Sequence, residues 1–213
     1  MALLNDEIVQ NVTEMLSDLP SAVKLTVFTD QQNCEYCDQI VQLVNEVAAT
    51  SDKVEVEQFE IHEDADQAEA LNIPRAPAIA ILGERDYGLR FFGIPSGYEF
   101  STLLHGIQSA SQGASDLGDD VKNFLGSLSK PVEFQVFVTP TCPYCPRAAV
   151  LAMDMAVESE LVNAHIVESA EFPELANQYN VMGVPLSVIN DKERVEGAAP
   201  AQMIVDAIRK AVA

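Results

Sequence analysis

Phe137-Val138-Thr139-Pro140-Thr141-Cys142-Pro143-Tyr144-Cys145-Pro146 reads as an apolar strand, a short turn, and two cysteines three apart leading into an apolar-periodic helix. The same order stands upstream, where Cys34 and Cys37 precede Cys142 and Cys145 by one shift of 108 residues (142 − 34). At that shift Tyr36 maps onto Tyr144, Glu60 onto Glu168, Asn72 onto Asn180 and Pro77 onto Pro185, so each leading cysteine precedes its proline by 43 residues. Several coincidences at one offset mean a duplicated unit rather than an array of short repeats.

The hydrophobic pattern of each half agrees. In the first, Ile8, Val12, Met15, Leu16 and Leu19 share a helical face, 23–28 reads as a strand, and Ile40, Val41, Leu43, Val44 and Val47 mark the helix after the cysteines. A strand at 54–61, a short helix at 64–71, strands at 78–82 and 87–92, and a closing helix at 100–107 follow. The second half repeats this order. A leading helix carries Leu117, Val121, Phe124, Leu125 and Leu128, and a strand at 132–138 runs into the Cys142 helix. A strand at 162–167, a short helix around Leu175, strands at 186–189 and near Arg194-Val195, and a helix at 201–212 complete it. The loop before the cysteines is one residue longer in the first half. The seam is Ser109-Ala110-Ser111-Gln112-Gly113-Ala114-Ser115, small and polar, with a fresh helix start at 116–120. The expectation is an α/β chain of two tandem units, 1–114 and 115–213, with a mixed central sheet flanked by helices. The element order matches the thioredoxin fold with an added N-terminal helix.

Composition narrows the function. Hydrophobic residues make up 48% and charged residues 21%, which is globular, and no apolar run reaches the length of a membrane helix. Met1-Ala2-Leu3-Leu4-Asn5-Asp6-Glu7 has no positive region and turns acidic at once, so no signal peptide and a cytoplasmic location are expected. A net charge of −21 repels phosphate, which argues against nucleic acid and anionic membranes as partners. It reads as a solvated acidic exterior, which a high-salt cytoplasm would also suit.

The four cysteines form two pairs with none left over. In a reducing compartment such pairs point to redox catalysis or to metal. Four thiolates could build a tetrahedral zinc site. Zinc knuckles sit on Gly-rich hairpins, however, whereas each pair here leads into a helix; no metal and no cofactor are expected. Residues three apart at a helix start lie on one face with β-carbons about 5–6 Å apart, near disulfide range. Unpaired N–H groups and the helix dipole favour a thiolate there; about 2 kcal/mol would lower a thiol pKa by roughly 1.5. Cys34 and Cys142 are therefore the expected nucleophiles, and Cys37 and Cys145 the resolving thiols. The centres should differ. Pro143 pre-sets the second helix start and Arg147 adds positive charge, whereas Glu35 and Asp38 place carboxylates beside Cys34, so the second centre should carry the more acidic thiol. Arg75 offsets this if it folds back toward the cysteines.

These residues resemble the protein disulfide oxidoreductase family, the tandem thioredoxin-fold, glutaredoxin-like proteins of thermophilic archaea and some bacteria. The likeness spans nearly the whole chain. Its most specific stretches are the Cys142 segment quoted above, Gln178-Tyr179-Asn180-Val181-Met182, Arg75-Ala76-Pro77, and Tyr87-Gly88-Leu89-Arg90-Phe91-Phe92-Gly93-Ile94-Pro95-Ser96-Gly97. The resemblance implies dithiol–disulfide exchange with protein thiols and disulfides, recycling by a thioredoxin-reductase-like flavoenzyme, and two sheets merged into one. It also implies cis peptide bonds at Pro77 and Pro185, leaving the backbone of Ala76 and Val184 free to pair with an extended client. This chain departs from neighbouring families. No Trp precedes Cys34, Val27 and Val136 stand near the place of the buried acid of thioredoxins, and no Gly-Gly with acids follows Pro185, so obligate use of glutathione is not implied.

Other features carry blander readings. His62, His105 and His165 share no ligand spacing and read as surface or structural residues, and Gly93 to Gly97 lacks the lysine of a phosphate loop. Asn11-Val12-Thr13 fits a glycosylation sequon but falls inside a helix. Tyr36 and Tyr144 read as packing neighbours of the active turn. Glu60 and Glu168, at matching strand ends, read either as proton acceptors for a resolving thiol or as solvated strand ends. Three functions compete: a general protein disulfide oxidoreductase, an electron carrier dedicated to a peroxiredoxin-type enzyme, and a client-binding chaperone.

Overall fold

A computed structural model describes residues 2–213. Two runs rich in β-branched and aromatic residues form the central strands, β1 (Val23–Thr29) and β5 (Val132–Val138). Each pairs in parallel with the next strand of its own half, β1 with β2 (Val54–Glu60) and β5 with β6 (Val162–Glu168). Each also pairs antiparallel on its other side, β1 with β3 (Ala78–Leu82) and β5 with β7 (Leu186–Ile189). An outer hairpin partner completes each set, β4 (Asp86–Phe92) and β8 (Glu193–Glu196). The registers coincide: Val23 faces Val54 and Thr29 faces Glu60, as Val132 faces Val162 and Val138 faces Glu168.

The two sheets are one. β4 pairs in parallel with β6 from Leu89↔Ala164 to Phe92↔Val167, giving eight strands in the order β2-β1-β3-β4-β6-β5-β7-β8. The halves thus join head to tail, the outer strand of the first against the parallel edge of the second. Helices cover both faces, as the sequence pattern requires. α2 (Cys37–Ala48), α4 (Glu99–Gln112), α6 (Cys145–Glu158) and α8 (Ala201–Ala211) lie on one, with α1 (Asp6–Leu16) and α5 (Asp119–Gly126) beside them; α3 (Ala65–Ala70) and α7 (Pro173–Gln178) cover the other. Strand alternation feeds both cores. Val27, Ile79, Phe91, Val136 and Ile166 enter the larger, while their neighbours Phe28, Ala78, Phe92, Phe137 and Val167 enter the smaller.

The seam differs from its sequence reading. α4 runs on to Gln112, and Ser109, Ala110 and Ser111 are buried in it. Small residues there let the helix approach the sheet rather than making a linker: the Ser111 hydroxyl donates to Ser21 O at 2.6 Å and accepts from the Ser21 N–H. The helix ends at Gly113, whose φ of 65° suits a left-handed cap. Opposite this stretch, a Cβ on Gly83 would overlap the Ala110 carbonyl. Gly83→Ala is expected to lower stability by about 2–3 kcal/mol in urea unfolding, because backbone must move to admit it; a loss too small to measure would contradict the close approach.

Candidate functional site

The two cysteine pairs are disulfides, Cys34–Cys37 and Cys142–Cys145, with Cα separations of 5.6 and 5.5 Å. Each follows the C-terminal end of a central strand. The helices begin only at Cys37 and Cys145, with Tyr36 and Tyr144 as N-caps. The leading cysteines therefore lie outside the helix rather than in its first turn, because the hydrogen-bond ladder of α2 opens with Tyr36 O accepting from the Ile40 N–H. Their sulfurs are nonetheless bonded back onto the first turn, where the unpaired N–H groups point. In each pair the leading cysteine is the more exposed residue. Cys34 is half-buried against 9% exposure for Cys37, and Cys142 is 8% exposed against 0% for Cys145. The Asp30 N–H donates to Cys37 Sγ at 3.4 Å.

The Ala76–Pro77 and Val184–Pro185 peptide bonds are cis, as the resemblance implied. Both dipeptides stand directly before β3 and β7, on the strands flanking the cysteine-bearing ones. Cys142 Sγ lies 3.7 Å from Val184 O, and Ala76 and Pro77 line one cleft of about 450 Å³ with Cys34. The structure thus brings each proline loop to its own cysteine. Tyr144, between the second pair of cysteines, is 63% exposed and projects outward instead of packing against the turn.

Several side chains depart from their sequence readings. Glu60 and Glu168 are buried, not solvated, because the loops after their strands fold over them. Glu60 accepts from the N–H groups of Gln31, His62 and Glu63, which hold its carboxyl below the usual range. Glu168 accepts from the Glu171 N–H at 2.7 Å. Arg75 does not serve Cys34: its guanidinium stacks over the Phe92 ring, 5.5 Å from the centroid. The histidines divide between structural and surface places. His105 bonds Asp154 at 2.7 Å, tying α4 to α6, and His62 lies 3.6 Å from Asp30. Asp30, Glu60 and His62 are close enough to share an ion, but backbone N–H groups already occupy the Glu60 carboxylate. His165, opposite Arg90 where β4 meets β6, is pushed down to about 4 by burial and by the charges of Arg90 and Arg75.

Two carboxyls owe their burial to the tertiary fold rather than to any local pattern. Glu99, at the start of α4, is fully buried; Thr102 donates to its Oε2 at 2.8 Å, and burial pushes it up to about 7. It follows Tyr98, whose N–H donates to Pro140 O at 2.9 Å and so ties the first half to the loop leading to Cys142. Gly97, with φ 58°, permits that contact, since a Cβ there would overlap the Pro140 carbonyl. Glu171 lines the Cys34 cleft from the second half, and burial together with the charges of Glu168 and Glu35 pushes it up to about 7.

Comparison with known proteins agrees with this architecture. Residues 132–210 match the family described as a thioredoxin domain. The crystal structure of a protein disulfide oxidoreductase from Aeropyrum pernix superposes with a TM-score of 0.92 at 28% identity, covering 100% of this chain and 95% of that one. The alkylhydroperoxide reductase protein AhpF from Enterococcus faecalis shares the fold, with a TM-score of 0.89 at 23% identity over 96% of this chain and 99% of that one. In sequence, the F-type subunit of alkyl hydroperoxide reductase from Staphylococcus epidermidis is 23% identical over 95% of this chain and 37% of its own length. An NADH dehydrogenase of Bacillus subtilis is 26% identical over 71% of this chain and 28% of its own. The chain spans about a third of the length of the curated relatives it matches.

Proposed function

We propose, for a chain that is a tandem pair of thioredoxin-fold units, that it is a protein thiol–disulfide oxidoreductase working through two centres. The observation that carries this is the repeated geometry: in each unit a disulfide at a helix start presents its leading sulfur beside a cis-proline loop. Cys34 and Cys142 attack, and Cys37 and Cys145 resolve. When the centre is reduced, the leading thiolate attacks a client disulfide, one client sulfur departs, and the mixed disulfide is then broken by the second cysteine. Ala76 with Pro77, and Val184 with Pro185, offer backbone to an extended client by strand addition. The units are 1–114 and 115–213, each with one centre.

The partners that fit are protein thiols and disulfides, with a thioredoxin-reductase-like flavoenzyme as reductant, in a reducing compartment such as the cytoplasm. Among the described residues no helix is long and apolar enough to cross a membrane. The likeness to the alkyl hydroperoxide reductase proteins favours a second reading, an electron carrier dedicated to a peroxide-reducing partner. Reduction of insulin disulfides by the wild-type chain and by Cys34→Ser and Cys142→Ser tests both. Turnover of insulin, lost when both substitutions are combined, is expected of a general oxidoreductase. Turnover confined to one cognate peroxiredoxin would move the assignment to the carrier, and holdase activity surviving the loss of all four cysteines would overturn both.

A further inference from the structure

The cleft in front of Cys34 is walled by both halves of the chain, with Tyr36 and Pro77 on one side and Pro140, Glu168 and Glu171 on the other. Glu168 is 2% exposed, and its Oε1 has no partner among the described residues. Glu171 accepts from the Ile94 N–H through Oε1 at 2.7 Å, while its Oε2 is buried and likewise unpartnered among the described residues. Gly93, at φ 93°, makes the space: a Cβ there would come within 2.7 Å of Glu168 Cβ and 2.8 Å of Glu171 Oε1. Buried carboxyl oxygens left unpaired require a reason, and these two border a cleft that holds an exchangeable sulfur.

We propose that Glu171, carried by the second unit, is the proton donor for thiol–disulfide exchange at Cys34 of the first. This rests on the oxidoreductase reading above. As the Cys34 thiolate attacks, the client S–S bond breaks and a Cys34–client S–S bond forms. The departing client sulfur leaves with the bonding electron pair and takes the proton of Glu171, which becomes a carboxylate and is reprotonated by water. No net oxidant is needed, because the client disulfide is reduced as the cysteine pair is oxidised. Glu35, Tyr36 and Glu168 face Glu171 in this cleft; Asp30, His62, Arg75 and Glu174 line an adjoining one that Glu171 also borders. Its titration near 7 leaves it about half protonated at neutral pH, where a proton donor works best.

The test uses the full chain carrying Cys142→Ser and Cys145→Ser, so that only the first centre works, with insulin as the disulfide substrate between pH 5.5 and 8.5. Exchange should rise as Cys34 ionises and fall above about pH 7. Glu171→Gln should slow exchange at pH 6.5 by at least about tenfold and abolish the alkaline fall, while Glu171→Asp retains it. Alkylation of Cys34 by iodoacetamide needs no proton donor and should not slow in Glu171→Gln. An unchanged ratio of exchange to alkylation would overturn the proposal. So would an equal loss in the complementary chain, where Cys34→Ser and Cys37→Ser leave only the second centre. If the parent first-centre chain turned over no insulin at all, the oxidoreductase reading of that centre would fall, and the proton donor with it.

Discussion

At pH 6, Cys142 is expected to react with iodoacetamide about ten times faster than Cys34. Both sulfurs stand at a helix start and gain alike from its N–H groups, so the difference comes from neighbouring charge. Beside Cys34 are Glu35, Asp38 in the first turn of α2, and, across the cleft, Glu168 and Glu171. The Glu35 carboxylate, with that of Glu168 across the cleft, raises the neighbouring Tyr36 hydroxyl, and the same field opposes a thiolate at Cys34; Glu171, held up to about 7, is mostly protonated at pH 6 and adds little. The first turn of α6 holds no acid, and Arg147 lies in it. A separation of one pKa unit, about 1.4 kcal/mol, yields the tenfold ratio. Alkylation rates against pH on the Cys34→Ser and Cys142→Ser chains measure it, and a lower pKa at Cys34 would refute the ranking.

The second large effect concerns acid. Glu99 and Glu171 are raised to about 7, so the stability they carry is fully present below the unfolded carboxyl range and is lost as pH rises through 7. His165 is lowered to about 4, so its contribution is present above the unfolded histidine value of about 6.5 and is lost as pH falls through 4. Between pH 8 and 5 two carboxyls gain while one imidazole loses. After allowing for partial solvent screening, the chain should be about 2 kcal/mol more stable at pH 5 than at pH 8. Relief of the −21 charge acts in the same direction. Below about pH 4.5 the trend reverses, as Glu60, Glu46 and Asp86, held low by their hydrogen bonds, take up protons. Urea unfolding across this range tests the claim, and Glu99→Gln should remove a large part of the rise. Maximal stability at pH 8 would contradict it.

The sequence carried the duplication, the strand and helix order and the pairing of the cysteines because each is written in local spacing. Periodicity of two or of 3.6 survives without knowledge of any partner, and an offset shared by cysteines and prolines is visible by counting. What stayed hidden was whatever the other half of the chain supplies. Glu99 follows Tyr98 at a helix start, where an acid ordinarily faces water, and its complete burial comes from tertiary packing that the local pattern does not carry. Glu171 sits in a loop of the second unit and shares a cleft with Cys34 in a molecule whose two halves join through β4 and β6. Ser109 to Ser111 reads as part of a seam because small polar residues suit both a seam and a close-packed helix, and burial alone separates the two. Arg75 had two directions open to it, and the aromatic ring of Phe92 took it.

The head-to-tail join of β4 to β6 has one more result. β1 and β5 run the same way, so both sulfur pairs open on a single ledge of the molecule, four strand spacings apart along the sheet order. At about 4.8 Å per spacing that is roughly 19 Å, the span of about six extended residues. The two centres are thus neighbours along the same end of one continuous sheet rather than opposite poles of the molecule.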